Sequence, residues 1–165
     1  YLDCLTELRA GRLDIAFVGI SQDEQVPGDV ETCHVYDEVS GLYCRGEHAC
    51  AKANDPETLD VLLKESKISA HSFLLNPIDE DLDMRLLEEE SEQSQGNIET
   101  TTYLTLAGSH VGLIPVHFAN FWAKEGQLVE LAPERYRVIS EIHALRLRNQ
   151  THETAAQWFW ENCIG

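Results

Sequence analysis

Basic residues are scarce: 12 Lys+Arg stand against 29 Asp+Glu, a net charge of −17. A chain of that sign repels a polyphosphate backbone unless a local patch reverses it, so this chain is not expected to grip DNA by itself. Apolar runs are short, none near the roughly 18 residues that cross a bilayer. No charged-then-apolar leader follows Tyr1, although the chain opens without an initiator Met. It reads as soluble, with no membrane partner. The five cysteines (Cys4, Cys33, Cys44, Cys50, Cys163) are an odd, scattered set with no C-x-x-C pair. That usage fits reduced thiols in the cytoplasm better than a secreted disulfide framework. At 165 residues the chain can bury a sizeable core with no disulfide or metal staple.

Phosphate loops are also missing. Gly108, Gly112 and Gly126 stand isolated, and no stretch fits G-x-x-x-x-G-K-[ST] or G-x-G-x-x-G, so no nucleotide or other cofactor is expected. The seven histidines (His34, His48, His71, His110, His117, His143, His152) show no H-E-x-x-H pairing. Cys44, His48 and Cys50 in CRGEHAC bring two thiols and an imidazole close together, but the spacing is not a zinc signature and no second pair completes a tetrahedral site. No metal site and no catalytic residue are assigned.

What is present is alternation. Leu2, Leu5 and Leu8 close an amphipathic helix that Gly11 stops in the left-handed region. Leu13 to Gly19 is apolar apart from Asp14, as in a parallel strand covered on both faces. Pro27-Gly28 marks a turn, and Val30 to Tyr36 and Val39 to Cys44 read as two short strands around Asp37-Glu38. Pro56 opens a helix with Leu59, Leu62 and Leu63 on its apolar face, followed by a strand near Ile68. A second helix follows Pro77, with Leu82, Leu86 and Leu87 on one face and a solvated acidic face opposite. Past Gly96-Asn97 the expected order is a strand at Ile98, a helix from Thr101 to Gly108 and a strand from Val111 to Ile114. Then come a helix from Pro115 to Lys124, an extended Leu128 to Leu131 and a strand from Val138 to Leu147. A helix from Thr151 to Cys163, with Ala155, Ala156, Phe159 and Trp160 as its stripe, closes the chain. The pattern is α/β.

Three stretches, taken in order, resemble the effector-binding domain of LysR-type transcriptional regulators. Leu8 to Val18 (LRAGRLDIAFV) is similar to that family's helix, glycine and "G-x-L-D" strand. Leu42 to Ala51 (LYCRGEHACA) is similar to its "L-x-x-x-x-x-H-P-L-A" region, with Ala49-Cys50 in place of Pro-Leu. Leu104 to Leu131 (LTLAGSHVGLIPVHFANFWAKEGQLVEL) resembles its "G-x-G-I-x-x-L-P" turn and strand with the following "G-x-L-V-x-L", departing from it at Ser109-His110.

The resemblance implies a two-lobed, type 2 periplasmic-binding-protein-like α/β fold. In the family alignment Tyr1 to Val18 and Ser140 to Gly165 belong to a partial first lobe, while Gly19 to Ile139 make a complete second lobe. The same alignment implies a winged helix-turn-helix upstream that this chain does not contain. A small metabolite in the cleft between lobes would shift the population of open and closed states. DNA would be a partner through the absent domain alone, and the full protein a homodimer or homotetramer. No covalent step is implied, so the chain is not expected to be an enzyme.

The residues expected at the effector are Gly19, Ile20 and Ser21 at the first crossing, and Asn76, Ile78, Asp79, Thr100, Thr101 and Thr102 at two helix starts. Helix N-termini present backbone N–H groups and threonine hydroxyls add donors, which suits a carboxylate-bearing effector. Asp79 opposes an anion at its corner, so the effector's charge stays open, and the same threonines could serve simply as caps. Two other classes compete: a periplasmic solute-binding protein of the same fold, and an α/β enzyme using Cys44 with a nearby histidine. Cysteine usage and the Leu104 to Leu131 pattern favour the regulator.

Overall fold

The computed structural model describes residues 1–20, 25–70, 97–148 and 154–164. They form two units: Tyr1–Glu38 with Ser140–Gly165, and Val39–Ile139. The boundaries between the units fall at Glu38/Val39 and at Ile139/Ser140. Strand β2 runs unbroken from Val30 to Arg45, where two short strands around Asp37-Glu38 were expected. Glu38 is buried, so the acidic pair lies inside the strand and makes no turn.

In the first unit, helix α1 (Leu2–Arg9) ends as anticipated, with Gly11 at φ +67°. Strand β1 (Ala16–Gly19) is shorter than the apolar run and pairs antiparallel with β6 (Val138–Leu147), Ala16 opposite Leu145 and Gly19 opposite Ile142. It was expected to be parallel and covered on both faces. It is an edge strand instead, with Phe17 half exposed. Leu5 and Leu8 of α1 pack with Ala16, Val18, Ile20, Val30 and Leu145 into one core. Helix α6 (Thr154–Phe159) continues into a π-type turn, Trp160–Ile164. Of its expected stripe only Trp160 is buried, beneath the Arg146 guanidinium at 4.4 Å. Phe159 remains 40% exposed and meets Phe17 edge-on. The Thr151 start of that helix lies outside the described residues, as does the helix expected after Pro77.

The second unit is a three-layer α/β/α arrangement. Its strand order is β5 (Leu128–Glu130), β2, β4 (Val111–Pro115), β3 (Ile68–Ala70). The β3–β4 pair is parallel and the β2 pairs are antiparallel. Every residue of β4 is buried because alternate side chains serve opposite layers. Val111 and Leu113 join Leu42, Cys44 and the leucines of α2 (Pro56–Lys64) on one face. Ile114 joins Tyr43, Ala119 and Leu128 on the other, under α3 (Ile98–Leu106) and α4 (Val116–Lys124). Pro56 takes the first turn of α2, as the sequence indicated, and the Asp55 side chain caps it by accepting the Thr58 N–H at 2.8 Å.

A one-turn helix, α5 (Pro133–Tyr136), was not anticipated. It is tied to α2 through Asp60, whose carboxylate accepts both Arg135 terminal nitrogens at 3.2 Å and the Tyr136 hydroxyl. Burial works to raise the Asp60 pKa, but the Tyr136 and Arg135 donors outweigh it and hold the carboxyl below its ordinary value. Since the folded pKa is the lower one, this contribution is fully present above about pH 4 and is lost as pH falls through the depressed value. Asp60→Asn should cost about 1–2 kcal/mol at neutral pH. The figure is modest because the Arg135 and Asp60 side chains keep 31% and 39% of their surface in water. Urea melts at pH 7 and pH 3 check this: the gap between variant and parent should narrow in acid, and an unchanged gap would mean the carboxylate's charge is not what holds α5.

Candidate functional site

The expected site residues fall on separate units. On the first, Gly19 closes β1 opposite Ile142, and Ile20 is 8% exposed with its N–H donated to the Glu141 carbonyl at 3.3 Å. Ser21, Asn76, Ile78 and Asp79 lie outside the described residues.

On the second unit the three threonines occupy the first turns of α3. Ile98, expected in a strand, is instead the first residue of this helix, because Asn97 caps it. The Asn97 side-chain oxygen accepts the Thr100 N–H at 3.0 Å and the Thr100 hydroxyl at 2.9 Å. The Thr102 hydroxyl donates back to the Ile98 carbonyl at 2.8 Å. Thr101 is fully buried, its hydroxyl 3.1 Å from that of Ser69 on β3. One turn on, the Thr105 hydroxyl donates to the Thr101 carbonyl at 2.8 Å. Each threonine hydroxyl therefore already has a protein partner, and Thr100, the exposed one, presents its side chain outward beside the cap. Asn97 was the residue missed; an Asn just ahead of a T-T-T run is a helix-start signal that a turn reading of Gly96-Asn97 hides.

Close approach of α3 to the sheet rests on Gly112. A Cβ there would lie well inside contact distance of the Thr105 hydroxyl oxygen and 3.2 Å from Thr101 Cγ2 and Ile114 Cδ1. The threonine face is thereby locked against β3 and β4, which fixes the direction in which the N-terminus of α3 points.

The other chemistry-bearing groups have local partners. Cys44 and Cys50 are buried, and burial, with the neighbouring Cys50 sulfur, pushes the Cys44 thiol up to about 12. A buried thiol raised in this way is a poor nucleophile near neutrality. His48 accepts the Cys50 N–H at 3.2 Å as the cap of a short 3-10 turn, Ala49–Lys52, and burial lowers its pKa. Among the described residues no group of three or more His, Cys, Asp or Glu could hold a metal ion. A cleft of about 260 Å³ in the second unit is lined by Arg45, Glu47, Leu106, Gly126 and Gln127. It lies at the opposite end of α3 from the threonines, and the Arg45 guanidinium spans it from Glu47 at 2.8 Å to the Leu106 carbonyl at 3.4 Å.

The LysR substrate binding domain model matches residues 2–164. The chain belongs to the LysR substrate binding domain family. It is 31% identical over 108 residues to the HTH-type transcriptional activator BauR of Pseudomonas aeruginosa, a match covering 65% of this chain and 34% of that protein. The chain thus spans about a third of that relative's length. Among solved structures, the bromide ion-bound regulatory domain of HypT from Salmonella typhimurium superposes with a TM-score of 0.65 at 16% identity, covering 97% of this chain and 75% of that one. The oxidised form of Corynebacterium glutamicum OxyR gives 0.65 at 16% identity, over 91% of this chain and 46% of that one. The effector domain of AmpR from Pseudomonas aeruginosa gives 0.60 at 15% identity, over 93% and 72%. At those identities the structures speak for the fold, which is the α/β fold of LysR regulatory domains. As a LysR substrate-binding domain, the chain is a ligand-sensing regulatory domain. Its family is one of regulator effector domains, which is not an enzyme family, and no described helix is long and apolar enough to cross a membrane.

Proposed function

We propose that this domain binds a small-molecule effector noncovalently and passes that event to a DNA-binding domain elsewhere in a cytoplasmic regulator, which acts as a homodimer or homotetramer. The observation that carries the reading is the chain's route together with its family. It leaves the first unit along β2, builds the second unit and returns along β6, so that two covalent crossings join the units. We assign effector contact to Gly19, Ile20, Ser21, Asn76, Ile78, Asp79 and Thr100, with Thr101 and Thr102 in a supporting role. Thr100 is the strongest of these, being exposed at a capped helix start. The buried hydroxyls of Thr101 and Thr102 act by aiming that turn.

The test is a thermal-shift screen of the complete regulator against small metabolites. A ligand present at a hundred times its Kd stabilises the folded state by about 2.7 kcal/mol, a shift of several degrees. Thr100→Ala should leave the ligand-free midpoint within about 1 °C of the parent, as a surface change away from the core does, while shrinking the ligand-induced rise. A hit whose shift is untouched by Thr100→Ala would move the site away from α3, and a broad metabolite library without a hit would set the sensing mechanism aside.

A further inference from the structure

In the first unit the Cys33 thiol reaches the residue that follows Cys163, 131 positions along the chain. Cys33 on β2 is half-buried, and its Sγ donates a hydrogen bond to the Ile164 carbonyl at 3.1 Å. Cys163, the residue just before Ile164, is exposed at the wide π-type turn that closes α6. Consecutive Cα atoms are about 3.8 Å apart, so Cys163 sits about one residue from the atom that the Cys33 thiol already touches. A disulfide requires Cα atoms roughly 4.4–6.8 Å apart. The remaining cysteines offer a contrast: Cys44 and Cys50 are sealed in the core of the other unit, and Cys4 lies on α1.

We propose that Cys33 and Cys163 form a reversible dithiol–disulfide pair, a modification site oxidised by a hydroperoxide that fastens the terminal turn to β2. Cys163, the accessible sulfur, attacks the peroxide oxygen as its thiolate; the O–O bond breaks, the alcohol or water leaves, and a sulfenic acid forms. The Cys33 sulfur then attacks the Cys163 sulfenic sulfur, the S–O bond breaks and water leaves with the Cys33 thiol proton. In balance, two thiols and one hydroperoxide give one disulfide, one water and one alcohol, or a second water when the oxidant is hydrogen peroxide. A thiol reductant reverses the step. This site is independent of the effector reading and adds a covalent input to the same domain.

The full chain, fully reduced and then exposed to hydrogen peroxide, is digested without reductant and its peptides are identified by mass. The expected result is a linked Cys33–Cys163 peptide, lighter than its two parts by two hydrogens, with Cys44 and Cys50 still reduced. The unfolding midpoint should rise on oxidation and fall back with reductant, and Cys163→Ser, at an exposed position, should abolish both changes while keeping the parent's reduced-state midpoint. Cys33→Ala should give the same loss, with Cys163 oxidised onward to sulfinic acid. Recovery of Cys163 as sulfinic acid in the parent with Cys33 still a thiol would overturn the proposal, and so would Cys163 linked only to Cys4 or to a second chain.

Discussion

Gly112→Ala is expected to destabilise the second unit by about 1–3 kcal/mol, the usual cost of forcing an extra methyl into a packed site. The added carbon collides with the Thr105 hydroxyl oxygen, which is fully buried, bonded to the Thr101 carbonyl at 2.8 Å and not the far end of a flexible chain. Relief comes only from sliding α3 off β4, and α3 carries the turn with Thr100. Affinity for the effector should therefore fall together with stability. Thr105→Ala removes the obstructing oxygen at the cost of one hydrogen bond, about 1 kcal/mol. Because the two changes act on the same atoms, the double variant should be more stable than the sum of the singles by about 1 kcal/mol or more. Denaturant melts of all four proteins in the cycle measure this. Strict additivity would mean that α3 and β4 accommodate the methyl elsewhere, and that Gly112 does not set the position of the helix.

How far this was legible in the sequence depended on whether the deciding interaction was local. Strand β6 matches its expected span, Val138 to Leu147, because a long alternating run needs no knowledge of its neighbours. The stop at Gly11 and the start at Pro56 were readable for the same reason, as each is settled within a turn of chain. Ile98 was misplaced because a β-branched residue ahead of three threonines has weak helix propensity. What overrides it is the Asn97 cap, a local signal hidden by reading Gly96-Asn97 as a turn, while the glycine that lets the threonine face lie against the sheet is fourteen residues on. The antiparallel placement of β1, the continuity of β2 through Asp37-Glu38, and α5 all depend on partners elsewhere in the chain. At the candidate site, the threonines were visible and the division of labour among them was not. The i, i+4 spacing of Thr101 and Thr105 was the available signal that this face turns inward, leaving Thr100 as the outward residue.

The larger stability effect belongs to the first unit. Leu8 is completely buried at the centre of a small core with Leu5, Ala16, Val18, Ile20, Val30 and Leu145. Leu8→Ala combines lost transfer free energy with an unfilled cavity, about 2–5 kcal/mol, which for a chain of this size lowers a midpoint by on the order of 4–20 °C. The tryptophans allow the units to be followed one at a time: Trp158 and Trp160 belong to the first and Trp122 to the second. In a Trp122→Phe background, the emission of Trp158 and buried Trp160 should report the full drop. In a Trp158→Phe, Trp160→Phe background, Trp122 should report a smaller one. Equal drops would mean that β2 and β6 join the two units into one cooperative body, so that the division is a matter of packing and not of stability. Unequal drops would give the domain the energetic partition that effector sensing by population shift can use: a ligand need supply only the few kcal/mol that distinguish states of the weaker unit.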